Sequence, residues 1–203
     1  MGGCGTEETA RMSWAPEDRA PREFRETATA VSKGLVIVYT GDGKGKTTAA
    51  LGLAFRAAGR GYRVAIVQFI KGQWKTGEGK LCEELKGRID CFTMGEGFTW
   101  ITKNYEQDIA TARATWAKCL EVLQDSRYRV VIFDELNYVL KYNFLPVAEV
   151  LDALKRKRAD VHVVLTGRDA PPELIEAADL VTEMRQIKHP YQAGIKAQPG
   201  VDY

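Results

Sequence analysis

"YTGDGKGKTTAALG", residues Tyr39 to Gly52, lies between an apolar run and a stretch of helical periodicity, and its reading decides the fold. Glycines at alternate positions, Gly41, Gly43 and Gly45, let the backbone turn with its N–H groups facing inward. A helix starting near Lys46 adds partial positive charge at its N-terminus. Lys46 supplies a cation for phosphates and Thr47 a hydroxyl suited to Mg²⁺, with Asp42, Lys44 and Thr48 completing the loop. The spelling departs from the common pattern G-x-x-x-x-G-K-[ST]. Thr40 stands where the first glycine belongs, and counted from Gly41 the loop is one residue short. A merely glycine-rich strand-to-helix turn is the alternative, and the G-K-T-T run in this frame favours a phosphate loop.

Outward from the loop the chain is rhythmic. "GLVIVY" (Gly34–Tyr39) is a β-branched run suited to a strand buried on both faces. Lys46 to Ala58 reads as a helix ended by Gly59 and Gly61. "YRVAIVQFI" (Tyr62–Ile70) is a second strand, and "KGQWKTGEGK" after it a glycine-rich loop. "RIDCFTM" (Arg88–Met94) predicts a strand. Asn104 to Asp125 predicts a long helix with Ile109, Ala112, Trp116, Leu120 and Leu123 on one face. "RVVIFDE" (Arg129–Glu135) is a strand ending in acids, Pro146 opens a helix through Arg156, and "VHVVLTG" (Val161–Gly167) is a strand. "PPELIEAA" is a short helix and "DLVTEM" a last strand. This alternation predicts an α/β fold with a mostly parallel, doubly wound sheet flanked by helices. Residues 1–33 read as a polar N-terminal segment, mobile at its start and helical from Pro21, with residues 34–203 as the folded domain.

Composition narrows the function classes. With 203 residues, 45% hydrophobic and 28% charged, the chain suits one soluble domain with a real core. Lys and Arg number 29 against 27 acids, a net charge of +2 that implies no nucleic acid or other polyanionic partner. The basic run "LKRKRAD" (Leu154–Asp160) reads as the solvated end of a helix. Cys4, Cys82, Cys91 and Cys119 form no C-x-x-C pair, and only His162 and His189 could join them, so a zinc site is poorly supported. Scattered cysteines beside a nucleotide loop suggest a reducing cytosol, hence a cytoplasmic protein. No apolar run approaches the ~20 residues needed to span a bilayer. The opening "MGGCGT" meets a loose myristoylation pattern through its glycines, and the head lacks an apolar signal core.

A nucleotide loop needs an acidic partner at a neighbouring strand end. Asp134 and Glu135 stand there, and either could reach a metal held by Thr47. Asp134 could equally cap the following helix, and a glutamate placed like Glu135 could activate water. Arg168, just past "VLTG", lies on the rim where ligands of parallel sheets gather. "MGEGFTWITKN" (Met94–Asn104) carries Phe98 and Trp100 beside two glycines. These rings could plug the core or cover a flat apolar ligand and exclude water from it.

Taken together, "VYTGDGKGKTTAALGLAFRAAGRG", "VAIVQFIKG", "GFTW", "FDELNYVL" and "HPYQAGIKAQPGVDY" resemble the corrinoid adenosyltransferases of the CobA/BtuR type, from Gly34 to Tyr203. The resemblance implies a RecA-like P-loop fold and transfer of the 5′-deoxyadenosyl group of ATP to cobalt(I) of a corrinoid. Triphosphate is released, and the setting is adenosylcobalamin biosynthesis or salvage. It implies Mg²⁺ or Mn²⁺, a homodimer, a reductase or flavodoxin-like electron donor, and an ATP seated in reverse so that carbon 5′ meets the nucleophile. On this chain, Gly41, Asp42, Gly43, Lys44, Gly45, Lys46, Thr47 and Thr48 match the phosphate loop, with Lys46 as phosphate lysine and Thr47 as metal ligand. Glu135 matches the Mg²⁺-associated carboxylate and Arg168 a triphosphate contact. Phe98 and Trp100 match the pair that packs beneath the corrin and displaces its lower ligand. Many relatives have asparagine where this chain has Asp42, so that carboxylate is expected to point away or to meet Lys44.

The chemistry fits those parts. Cobalt(I) is itself the nucleophile, so the protein must align carbon 5′ and stabilise the departing triphosphate. Phe98 and Trp100 offer no strong metal donor, which suits removal of an axial ligand and easier reduction of cobalt(II). Asp160-Val161-His162 begins a corrinoid-histidine motif D-x-H-x-x-G, but Leu165 occupies the glycine position, and His162 is expected to be structural. The rival readings are a P-loop ATPase or kinase, which would yield ADP, and a binding module without turnover.

Overall fold

The β-branched run before the glycine loop forms strand β1 (Val36–Thr40), in a computed structural model that describes residues 33–70, 76–94 and 105–202. The segment before residue 33, with its expected helix, and the aromatic pair Phe98 and Trp100 lie outside the described residues. The other strands are β2 (Arg63–Gln68), β3 (Ile89–Thr93), β4 (Tyr128–Asp134), β5 (His162–Thr166) and β6 (Leu180–Glu183). They form one six-stranded sheet in the order β3-β2-β4-β5-β1-β6, and every pairing is parallel. Each strand expected from the sequence is present; four are trimmed at both ends, while β1 runs on to Thr40 and β4 begins one residue early, at Tyr128.

Alternate side chains of each central strand enter different cores. Val36 and Val38 pack with Val131, Phe133, Val163 and Leu165 on one face, while Ile37 joins Val64, Ile66, Ile132 and Val164 on the other. That two-sided burial is why these strands read as unbroken apolar runs. Helix α1 (Lys46–Gly59) covers the second face through Ala50, Ala54 and Ala57, whose small side chains let it lie close to the sheet. Cys82 of helix α2 (Gly77–Glu84) joins the same face. Helices α3 (Tyr105–Gln124), α4 (Leu136–Lys141), α5 (Val147–Lys155) and α6 (Pro172–Ala177) cover the first. In α3, Trp116 meets Phe133 edge to face at 6.0 Å, a pair contributing about 1 kcal/mol beyond its burial. The stripe on α3 is centred differently from the expected one: Cys119 is buried, whereas Leu120 sits at the rim, 40% exposed.

Four further differences have physical causes. The glycine-rich stretch taken as a loop turns helical at Gly77, because the Thr76 hydroxyl caps α2 by accepting from the Gly79 N–H at 3.2 Å. Gly77 and Gly79 occupy the first turn, and Cys82 is the only buried residue of α2. The cysteines are not all scattered: α2 folds back along β3 and joins Cys82 to Cys91 in a disulfide, Cα to Cα 6.1 Å. Cys119 is a buried free thiol whose pKa burial pushes well up. The basic run is only partly solvated. Lys157 donates to the carbonyls of Gly34 (2.7 Å) and Val161 (3.0 Å), and Arg158 to that of Tyr128 (2.9 Å), so both tie down chain crossings. Finally, β6 is an edge strand with all four residues exposed. Among the described residues no helix is long and apolar enough to cross a membrane.

Candidate active site

Every strand ends in a polar side chain: Thr40, Gln68, Thr93, Asp134, Thr166 and Glu183. In a parallel sheet this edge is where ligands gather. Strand β5 lies between β1 and β4, and Thr166 therefore stands between the glycine loop and the acids. Asp134, 1% exposed, accepts hydrogen bonds from the hydroxyls of Thr47 (2.9 Å) and Thr166 (2.8 Å) on Oδ1 and from Gln68 Nε2 (3.3 Å) on Oδ2. Thr166 in turn accepts from the Glu135 N–H at 2.9 Å. Gln68 Oε1 accepts from the Thr93 hydroxyl at 3.0 Å, so a polar line runs from β3 to the first turn of α1.

Within the loop, Lys46 Nζ donates to the carbonyls of Gly41 and Gly43, each at 2.7 Å. Burial holds its pKa below the usual lysine value; Glu135, Asp42 and Asp169 oppose that shift and Arg168 reinforces it. Gly43 donates its N–H to Met184 O at 2.7 Å, and a Cβ there would lie 2.8 Å from Met184 O and from the Arg185 backbone. The exit of β6 thus braces the loop so closely that only glycine fits. Gly45 is the N-cap of α1, at φ 115° and without a side-chain cap, so the first-turn N–H groups face the loop as an anion site.

A cavity of about 610 Å³ opens above these groups. Asp42 to Thr48 and Leu51 line one side, and Gly77, Glu78 and Leu81 of α2 another; Glu135, Tyr138, Arg168 and the tail residues Gly200 to Asp202 complete it. Arg168 is held there by its neighbour. Gly167 has φ 131°, and a Cβ on it would lie 2.8 Å from Asn137 Cβ. Asn137 Nδ2 donates to Gly167 O at 2.8 Å. Lys44 forms its ion pair with Asp202, which draws that carboxyl below its ordinary pKa. The tail therefore takes the partner that the sequence offered to Asp42.

Of the residues singled out from the sequence, Asp42 to Thr48, Glu135 and Arg168 surround one cavity, while Gly41 lies behind it and gives its carbonyl to Lys46. Phe98 and Trp100 lie outside the described residues. His162 takes a structural part: Nδ1 accepts from the Leu35 N–H at 3.1 Å. Sequence reasoning passed over Gln68, Thr166, Asn137 and Asp202. The first two carried a signal, a polar residue closing an apolar strand; the others are legible only in three dimensions. The donors gathered here, Thr47, Asp134 and Glu135, are all hard oxygens suited to Mg²⁺.

A family model described as "ATP:corrinoid adenosyltransferase BtuR/CobO/CobP" matches residues 32–203. Over 194 residues the chain is 48% identical to a corrinoid adenosyltransferase of Sinorhizobium sp., covering 95% of this chain and 90% of that protein. It is 46% identical over 171 residues to a corrinoid adenosyltransferase of Escherichia coli K12, covering 84% and 86%. Among solved structures, the flagellar accessory protein FlaH of Methanocaldococcus jannaschii superposes with a TM-score of 0.51 at 16% identity, over 75% of this chain and 72% of that one. This last likeness concerns the fold alone, a RecA-like P-loop sheet with flanking helices.

Proposed function

The chain belongs to the ATP:corrinoid adenosyltransferase family, and from that premise we propose how its cavity performs the reaction. The enzyme transfers the adenosyl group of ATP to a corrinoid. Cobalt(I) attacks carbon 5′ with its electron pair, the bond from carbon 5′ to the phosphate oxygen breaks, and triphosphate leaves with those electrons.

Lys46 trades its loop carbonyls for phosphate oxygens, and Arg168 balances charge at the other side of the cavity. The N–H groups at the start of α1 receive a phosphate. Thr47 and Glu135 would hold Mg²⁺, with Asp134 accepting from the Thr47 hydroxyl behind it. When bound, Mg²⁺ supplies charge neutralisation on the triphosphate. Phe98 and Trp100 are assigned to the corrin, by the family resemblance, as the apolar pair that keeps water and axial donors from the cobalt.

The observation that carries this reading is the meeting of Lys46, Thr47 and Asp134 at one strand edge: a buried ammonium and a carboxylate-bound hydroxyl beneath an open helix N-terminus. A homodimer belongs to the same reading through the family resemblance. A cytoplasmic setting and a reductase or flavodoxin-like electron donor accompany the chemistry, since cobalt(II) must first be reduced. Incubation with Mg-ATP and reduced cobalamin tests the whole: adenosylated corrinoid and triphosphate are expected in equal amounts. ADP without triphosphate would instead make the protein an ATPase or kinase using Glu135, and binding of both substrates without turnover a carrier.

A further inference from the structure

We propose that the Cys82–Cys91 bond is a reversible redox site, opened by a dithiol reductant, which sets how firmly one wall of the nucleotide cavity is held. Helix α2 separates two cavities. Its Gly77, Glu78 and Leu81 line the cavity above the glycine loop. On its other side Cys82 and Glu83, together with Lys86, Cys91 and Arg127, line a second cavity of about 510 Å³. Both bonded cysteines thus line a space large enough for a small reductant. Cys91 is half-buried whereas Cys82 is buried, so Cys91 is the more exposed partner of the pair.

The helix is otherwise lightly held. It has two glycines among eight residues, and its only buried residue is Cys82. The sulfur that anchors α2 to the core is therefore also the one tied to β3. A thiolate of the dithiol attacks Cys91 Sγ, breaks the Sγ–Sγ bond and releases Cys82 as a thiolate. The second thiol of the reductant then closes on the first, frees Cys91 and leaves as a cyclic disulfide. Two electrons pass to the protein, and both cysteines take up protons. The remaining described cysteine, Cys119, is buried and its thiol is held neutral, so the response is confined to the pair.

Resting on the assignment of ATP to the first cavity, the proposal is tested by three measurements on the full chain, as isolated and after dithiothreitol. Alkylation and peptide mass mapping should find Cys82 and Cys91 protected before reduction and labelled after it. Hydrogen exchange across residues 77–84 should rise on reduction, and Mg-ATP affinity should fall about fivefold, the low end of coupling between linked sites. Cys91→Ser should match the reduced protein in exchange and affinity and ignore the reductant. Both cysteines labelled before reduction, exchange unchanged by reduction, or a measurable affinity equal in both states each overturns the proposal. No ATP binding in either state, with the exchange difference present, would instead condemn the nucleotide assignment and leave the redox site standing.

Discussion

The Thr47 hydroxyl donates to Asp134 Oδ1 at 2.9 Å across 87 residues of sequence, so the first turn of α1 and the end of β4 share one proton. The same oxygen accepts from Thr166, which makes Asp134 the fixed point for the loop and both neighbouring strands.

Asp134→Asn keeps the shape and removes the charge, and whichever way its amide turns, the NH2 group stands against a present donor, either Gln68 Nε2 or the two threonine hydroxyls. Mg-ATP affinity is expected to fall about 10- to 100-fold, the usual effect of losing a group that orients a metal ligand. Calorimetric titration, with circular dichroism to check the fold, decides it; full affinity in the variant would refute the role.

Lys46→Met should lower turnover by at least about 100-fold, because the ammonium meets charge that grows in the transition state. Burial depresses the pKa of Lys46, so the protonated form to which the phosphate role is assigned is lost as pH rises, below the usual lysine value of 10.5. ATP affinity measured from neutral to alkaline pH should decline early in the wild type. In Lys46→Arg, whose guanidinium stays charged, the decline should move to higher pH.

His162 connects pH to stability. Burial lowers its pKa from 6.5, with Arg129 and Lys157 reinforcing and Asp160 opposing, and its Nδ1 must stay unprotonated to accept from Leu35. As pH falls through 6.5 the unfolded chain gains a proton that the folded chain refuses, so stability is full above that value and declines below it. His162→Asn should flatten the urea midpoint between pH 7 and 5 relative to wild type; parallel profiles would contradict this.

Gly167→Ala places a Cβ 2.8 Å from Asn137 Cβ at φ 131°, a strain of about 1–3 kcal/mol. Because Arg168 follows directly, KM for ATP should rise together with a drop in the urea midpoint. A variant that loses stability but keeps KM would separate Arg168 from the phosphates.

Trp100→Ala should slow reduction of bound cobalt(II) while leaving ATP affinity within about twofold, since the ring is assigned to the corrin side and not to the phosphates. The readouts are the absorbance of the cobalt species and nucleotide titration. Lost ATP affinity with normal reduction would reverse the assignment.

Local signals were enough for much of the fold and part of the site. The apolar runs ending at Thr40, Asp134 and Thr166 are strands because two-sided burial requires continuous hydrophobicity, and the glycine spacing before Lys46 declares a loop into a helix. Periodicity and turn chemistry act over a few residues, so a chain read in order discloses them. What joins distant segments depends on packing. Sequence did not disclose that Asp134 would bind Thr47 and Gln68, that Asn137 would brace Gly167, or that Asp202 would return to pair with Lys44. Nor did a nine-residue separation mark Cys82 and Cys91 as partners, because their contact depends on α2 turning back along the edge of the sheet. Composition and spacing determined the scaffold and the phosphate loop; the tertiary structure chose each polar partner, since those bonds form only once the strand order brings their ends together.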